Sequence, residues 1–174
     1  MPSWHFFFLS LELVNGRNMY IIGTKKKEAY VMKFSEFEAE TWDEMKKFFD
    51  TCLLPITGLT GSEAPHEAAE RLELLRDVMD WIESPFQGRV VTYPAVQYGG
   101  AEAADQINRI IQGVRQAGFI YVIVASAVEE LNEELLSGVN LIVTPQRYAK
   151  SAGQHKSQNP AVQEQILRLW QEGK

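Results

Sequence analysis

The sequence predicts an α/β fold, with a single open, mostly parallel sheet of about four strands and helices on both faces. The chain has 174 residues, of which 45% are hydrophobic and 23% charged, and this composition matches one domain with a substantial core. Short apolar segments typical of buried strands alternate four times with segments of helical periodicity. The links between these segments are short, as in sheets whose strands are joined by crossing helices.

The regular pattern begins after residue 40. Thr41 and Glu44 have the spacing of a capping box, so residues 41–50 are predicted to form an amphipathic helix. The segment CLLPITGL, residues 52–59, is predicted to be a short buried strand. Pro55 has no N–H to donate to a neighbouring strand, and it therefore favours an edge or bulged position.

A second helix and strand follow. Helical periodicity predicts a helix over about residues 64–83, which ends at Ser84 and Pro85. The segment GRVVTYPAVQY, residues 88–98, is predicted to be the second strand. The inward face of the helix is expected to carry Ala68, Leu72, Leu75, Met79 and Ile82.

The third helix is expected to end at Gly118, before the most apolar strand of the chain. This strand, FIYVIVAS at residues 119–126, is apolar on both faces and is therefore predicted to lie in the centre of the sheet. Ser126 and Glu129 have the spacing of another capping box, and Gly138 is the next helix stop.

The last strand and helix complete the domain. VNLIVTP, residues 139–145, is predicted to be the fourth strand, and a polar loop follows it. Asn159 has the side chain of a helix cap and Pro160 suits the first helical position, so the final helix is predicted to begin there. Near its end, Trp170 is expected to pack on the domain or to anchor a partner.

Residues 1–31 have two interpretations. Apolar runs on both sides of Asn15 and Gly16 favour a β-hairpin, because this pair suits a type I′ turn. The segment is alternatively a mis-annotated leader, since the residues before Met32 are compatible with codons of a bacterial ribosome-binding site. The expected organisation is therefore a leader or hairpin at 1–31 and a single α/β domain at 32–174.

Composition also limits the classes of partner. The formal net charge is −6, which gives no general reason to expect nucleic acid or an anionic membrane surface. The opening 14 residues lack the features of a secretory signal and are too short to span a bilayer, so no membrane insertion is expected. A lone cysteine, Cys52, excludes an internal disulfide and fits a reducing cytoplasm.

Motifs for catalysis, metal binding and cofactor binding are not recognised in the sequence. TGLTGSE, residues 57–63, matches neither common phosphate-loop motif and is predicted to be a connecting loop. The three histidines are scattered, which predicts no metal site. Ser126 lacks the G-x-S-x-G context of a nucleophile. We therefore predict no catalytic residues, no metal and no cofactor.

One group of residues suggests a ligand site. In open parallel sheets, ligands bind outside the carboxyl ends of the strands, where Tyr93, Tyr98, Ser126 and Arg147 are expected. The guanidinium of Arg147 suits a carboxylate or phosphate, so the predicted ligand is a small anion. The alternative is a solvated edge of ordinary turn residues.

The chain resembles the YpiF-like family of uncharacterised proteins from Gram-positive spore-forming bacteria. The resemblance lies in DTCLLPITG, GRVVTYPAVQY, GFIYVIVAS and GVNLIVTP, and it covers residues 32 to about 145. It implies a small cytosolic protein that begins near Met32, and it implies no activity. Residues 1–31 have no counterpart in the family pattern, which favours the leader interpretation.

Two function classes remain. The first is a non-enzymatic interaction, assembly or regulatory protein with an unknown protein partner, and it fits the lack of a recognisable catalytic group. The second is an enzyme or sensor that binds a small anion at the carboxyl edge, which the fold permits but does not establish.

Overall fold

The computed structural model describes residues 42, 43, 46–98, 103–127, 131, 133–148 and 158–173. The elements described in this part of the chain are five strands and four helices. They are β1 (Thr51–Leu59), α1 (Pro65–Glu83), β2 (Val90–Thr92), β3 (Val96–Tyr98), α2 (Ala104–Gln116), β4 (Tyr121–Ser126), β5 (Leu141–Val143), α3 (Pro145–Tyr148) and α4 (Pro160–Glu172), with a 3₁₀ turn at Glu133–Leu135 between β4 and β5.

All strands of the sheet are parallel, in the order β2-β1-β4-β5, and β3 also pairs with β1. The predicted open α/β class is therefore confirmed. The central position predicted for residues 119–126 is also confirmed, because β4 pairs with β1 on one side and with β5 on the other.

The segment predicted as one strand over residues 88–98 forms two short strands. β2 pairs with the first residues of β1, and β3 pairs with its last residues, from Ile56 to Leu59. Pro94 lies in the break between them and has no N–H to continue the ladder. The described sheet therefore has five strands where about four are predicted.

Pro55 lies within a central strand, so the edge position is wrong, whereas the other alternative, a bulge, agrees with the register shift that begins at Ile56, the next residue. The N–H of Thr51 donates to the carbonyl of Arg89, and the carbonyl of Leu53 accepts from the N–H of Tyr93. In a parallel strand, the backbone N–H and C=O groups of alternate residues point to the same neighbouring strand. The backbone of Pro55 therefore also points toward β2 and β3. The missing N–H therefore falls opposite the break between β2 and β3, where no ladder bond is lost.

Helices cover both faces of the sheet, as predicted. Helix α2 packs Ile107, Ile111 and Val114 against one face. Helices α1 and α4 cover the other face, with Leu75, Val78, Trp81 and Ile82 from α1 and Val162, Ile166 and Trp170 from α4.

One prediction about a side chain in the helices is wrong, and another is confirmed in the first of its two alternatives. Leu72 is 42% exposed, because the buried stripe of α1 runs through Val78 and Trp81 nearer to the end of the helix. Trp170 is only 6% exposed, and its ring packs edge-on against Phe86 at 4.8 Å. Its surface is therefore used within the domain, which is the first of the two roles predicted for it. The cap predicted for the last helix is confirmed, since Asn159 accepts from the N–H of Val162 at 3.2 Å.

Some predictions fall partly or wholly outside the described residues. These are the hairpin at 1–31, the capping box of Thr41 and Glu44, and the one that pairs Ser126 with Glu129. Residues 46–48 form a turn, joined by a bond from Lys46 N to Trp42 O. The loop predicted after β5 contains the short helix α3, which sequence analysis missed. No helix in the described ranges is long and apolar enough to cross a membrane.

Candidate functional site at the carboxyl edge

The strand order reverses direction between β1 and β4, and this reversal point lies at the carboxyl edge of the sheet. From β1 the chain passes through α1 to β2 and β3 on one side, and then through α2 to β4 on the other side of β1. The loops that follow β1 and β4 therefore lead to opposite faces. Such a reversal point is where ligands bind in open parallel sheets.

The loop after β1 binds the carboxylate of one of its own residues, Glu63. The carboxylate of Glu63 accepts from Thr60 N at 2.8 Å, from Thr60 Oγ1 at 3.0 Å and from Gly61 N at 2.9 Å. These bonds, led by the one from the N–H of Thr60, lower the pKa of Glu63 to about 2. The backbone donors that a phosphate needs are therefore occupied, which agrees with the connecting loop predicted here.

A cation supports the same loop from α1. Arg71 donates from Nη1 to the carbonyl of Gly58 at 2.7 Å, and this nitrogen lies 4.0 Å from Glu63 Oε1. Gly58 has a φ of +66°, which side chains rarely adopt, and the register of β1 shifts near it. The loop at the carboxyl end of β1 is therefore held in place both by the carboxylate of Glu63 and by Arg71.

Tyr98 flanks this loop on the side of β3. It pairs in register with Leu59, and its ring lies close to Gly61. The side chain is 63% exposed, so it is available for contact with a ligand or another molecule. The structure thus places Tyr98 at the predicted edge.

Ser126 ends β4 and is fully buried. Its register partner in β1 is Ile56. The ladder of β4 and β5 pairs Ala125 with Val143, so the next position places Thr144 beside Ser126. Thr144 is 7% exposed, and two hydroxyl residues therefore lie at neighbouring carboxyl ends.

Arg147 lies in α3, directly after β5. Its Nη1 is 3.4 Å from the carbonyl oxygen of Ile142. Ile142 pairs with Val124, which is two residues, or about 7 Å, before Ser126 along β4. The guanidinium therefore reaches back over the carboxyl ends of β4 and β5, on the same edge of the sheet as Ser126.

Tyr93 packs on the core, away from Ser126 and Arg147. Its ring packs edge-on against Phe119 at 5.5 Å, and Phe119 precedes the start of β4. Burial, together with the nearby Cys52 thiol, raises the pKa of Tyr93 above its ordinary value. The ring of Tyr93 thus faces the amino half of the core and is not brought beside Ser126.

The structure therefore brings Ser126 and Arg147 to one part of the edge and Tyr98 to another. Sequence analysis missed Thr144, although its position at the end of an apolar strand is the same signal that identified Ser126. Sequence analysis also missed that the carboxylate of Glu63 binds the backbone N–H groups of the loop after β1, because no sequence motif marks this contact.

Cys52 and the residue types that bind metals are the other potentially reactive groups. Cys52 is fully buried in β1, and burial raises the pKa of its thiol to about 12. The thiol therefore stays protonated at neutral pH and behaves as a small apolar side chain. In the part of the chain that the structure describes, no three His, Cys, Asp or Glu residues are grouped to hold a metal ion.

The family comparison covers this whole arrangement. A model of the family described as protein of unknown function (DUF2487) matches residues 40–171, which is more than half of the chain and includes every described strand. No curated protein and no solved structure matches the sequence.

Proposed function

The chain belongs to the DUF2487 family of unknown function, and we propose that it is a non-enzymatic regulatory protein that binds a small anionic ligand at the carboxyl edge of its sheet. The observation that carries this proposal is the position of Arg147 at the carboxyl ends of β4 and β5, next to the reversal point between β1 and β4. The same proposal places the protein in the cytoplasm of Gram-positive spore-forming bacteria, as the YpiF-like resemblance implies.

Position supports the proposal first. The Glu63 loop and the end of β4 lie on the two sides of the reversal point of the strand order. Parallel sheets bind ligands at this point because the two diverging loops leave a space that no helix fills. The exposed ring of Tyr98 adds a flat contact surface next to the loop.

The distribution of charge supports an anion at one end of this edge. Arg147 carries a planar, permanently charged fork over the ends of β4 and β5, where Ser126 and Thr144 supply hydroxyl groups. At the other end, the carboxylate of Glu63 already takes the donors of its loop. We therefore expect the negative group of the ligand beside Arg147 and its uncharged part toward Tyr98.

The test is a thermal-shift screen with nucleotides and anionic metabolites, followed by calorimetry on any compound that raises the melting temperature. We expect Arg147→Ala to weaken binding at least tenfold and Arg147→Lys to weaken it less, since an ammonium lacks the bidentate contact. Arg168→Ala is the matched control, because this arginine pairs with Glu164 on the surface of α4. It removes the same charge and is expected to leave binding unchanged.

Two results would contradict the proposal. One is a screen in which no anion raises the melting temperature. The other is equal loss of affinity in the Arg147 and Arg168 variants, which would mean that net charge alone controls binding. Either result would favour the competing interpretation, a protein that acts only through contacts with other proteins. Exposed apolar side chains at the amino edge, Phe48 and Ile120, favour that second candidate.

A further inference from the structure

Two large apolar side chains lie exposed at the amino edge of the sheet. Phe48 is 62% exposed and Ile120 is 55% exposed. They are held near each other, because the N–H of Ile120 donates to the carbonyl of Asp50 at 2.8 Å, two residues after Phe48. The edge opposite the proposed ligand site thus presents apolar surface from the starts of both central strands.

Two cations flank these side chains. The Nζ of Lys47 lies 5.0 Å from the centre of the Phe48 ring. Arg115 donates to the carbonyls of Ile120 and Gly138 and to the side-chain oxygen of Asn140. All three acceptors are neutral, so these bonds fix the position of the guanidinium without neutralising its charge.

Among the described residues, two nearby carboxylates are already paired with other cations. Asp43 pairs with Lys46 at 2.7 Å, and Asp50 pairs with Arg89 at 2.7 Å. In the ranges the structure describes, neither Lys47 nor Arg115 has an ion-pair partner. This surface therefore keeps positive charge beside exposed apolar groups, in a chain whose formal net charge is −6.

We propose that the amino-edge surface, formed by Phe48 and Ile120 with Lys47 and Arg115, binds an acidic amphipathic helix of another protein. The apolar face of such a helix covers Phe48 and Ile120, and its carboxylates meet Lys47 and Arg115. Apolar anchors supply the affinity of such contacts, and complementary charge at the rim supplies specificity. Because this surface lies at the amino edge, the proposal stands whether or not the carboxyl edge binds an anion.

The experiment uses the full chain and two labelled synthetic peptides in a fluorescence-anisotropy titration. Both peptides carry leucine at heptad positions a and d and alanine or glutamine elsewhere, with glutamate at e and g in one and lysine in the other. We expect the acidic peptide to bind at least tenfold more tightly than the basic one. Ile120→Ser and Lys47→Glu are each expected to weaken its binding at least fivefold, whereas Leu167→Ser, at an exposed site on α4, leaves it within twofold.

Equal binding of the two peptides would overturn the proposal, as would equal effects of the Ile120 and Leu167 variants. Sedimentation of the chain over a range of concentrations gives a further check. Self-association that disappears in Ile120→Ser would assign the surface to a second copy of this chain, and it would overturn the foreign partner proposed here.

Discussion

The guanidinium of Arg89 stacks on the ring of Trp170, with its central carbon 3.9 Å from the ring centre. The same guanidinium holds both carboxylate oxygens of Asp50, at 2.8 Å from Nε and 2.7 Å from Nη2. The indole N–H of Trp170 donates to the hydroxyl of Thr51 at 3.0 Å. The last helix is thereby fixed to the start of the first strand.

Removal of this guanidinium is expected to destabilise the fold. Arg89→Ala leaves the carboxylate of Asp50, whose side chain is only 16% exposed, without its cation and uncovers one face of Trp170. We expect the free energy of unfolding to fall by about 2 kcal/mol, less than for a fully buried pair because Arg89 is itself 35% exposed. Urea denaturation followed by tryptophan fluorescence measures this change.

Arg76→Ala is the matched control, since Arg76 pairs with Asp77 at 2.8 Å on the surface of α1. Exposed pairs contribute less than about 1 kcal/mol, so this variant should unfold close to the parent. Equal losses in the two variants would show that the stack on Trp170 contributes nothing specific.

A charge in the centre of β4 is expected to prevent folding. Val122 is fully buried on the face covered by α2, and an unpaired carboxylate there costs several kcal/mol against a total stability of about 5–15 kcal/mol. Val122→Asp should therefore be insoluble or lack a cooperative transition in circular dichroism. Leu167→Asp, at a site that is 47% exposed, should fold normally.

Cys52 predicts a loss of stability at high pH. Burial raises its pKa from 9.0 in the unfolded chain to about 12 in the folded one, so the folded state retains the proton. The contribution of the protonated thiol to the free energy of unfolding is complete below pH 9. It falls by about 1.4 kcal/mol per pH unit between pH 9 and pH 12. Cys52→Ala should be less stable than the parent at pH 7, and this difference should shrink at pH 10. If the parent and Cys52→Ala differ in stability by the same amount at both pH values, the raised pKa of Cys52 is contradicted.

Glu63 predicts the opposite dependence at low pH. Hydrogen bonds from Thr60 and Gly61 lower its pKa from 4.5 to about 2, so its contribution is complete above pH 4.5 and is lost as the pH falls toward 2. Glu63→Gln should lower the melting temperature by a few degrees at pH 7, with a smaller difference at pH 3. Glu70→Gln, at an exposed site on α1, removes the same charge and is the control, and it should lower the melting temperature at pH 7 by less than Glu63→Gln does.

The domain is expected to fold without residues 1–31. The family match begins at residue 40, and each described strand lies after it. A chain of residues 32–174 should be soluble and should unfold cooperatively at a temperature close to that of the full chain. Aggregation or a large drop in melting temperature would show that the first 31 residues complete the sheet.

The sequence by itself determined the class of fold and the ends of several elements. Local chemistry controls these features: Asn159 caps the helix that Pro160 begins, and Gly118, with a φ of +108°, follows α2 where a side chain is strained. The unbroken apolar run of β4 likewise required burial on both faces, which only a central strand provides.

Only the tertiary structure decided how distant segments meet. Pro55 lies in a central strand because the break between β2 and β3 falls opposite it, and a property of one segment cannot reveal a gap in another. The ring of Tyr93 packs on Phe119, although its place after a strand suggested the ligand edge. Arg147 reaches Ile142 near Ser126, and Arg89 joins Asp50 to Trp170 across most of the described chain. Such contacts depend on strand order and register, which are set by packing of the whole core and not by the local preference of any residue.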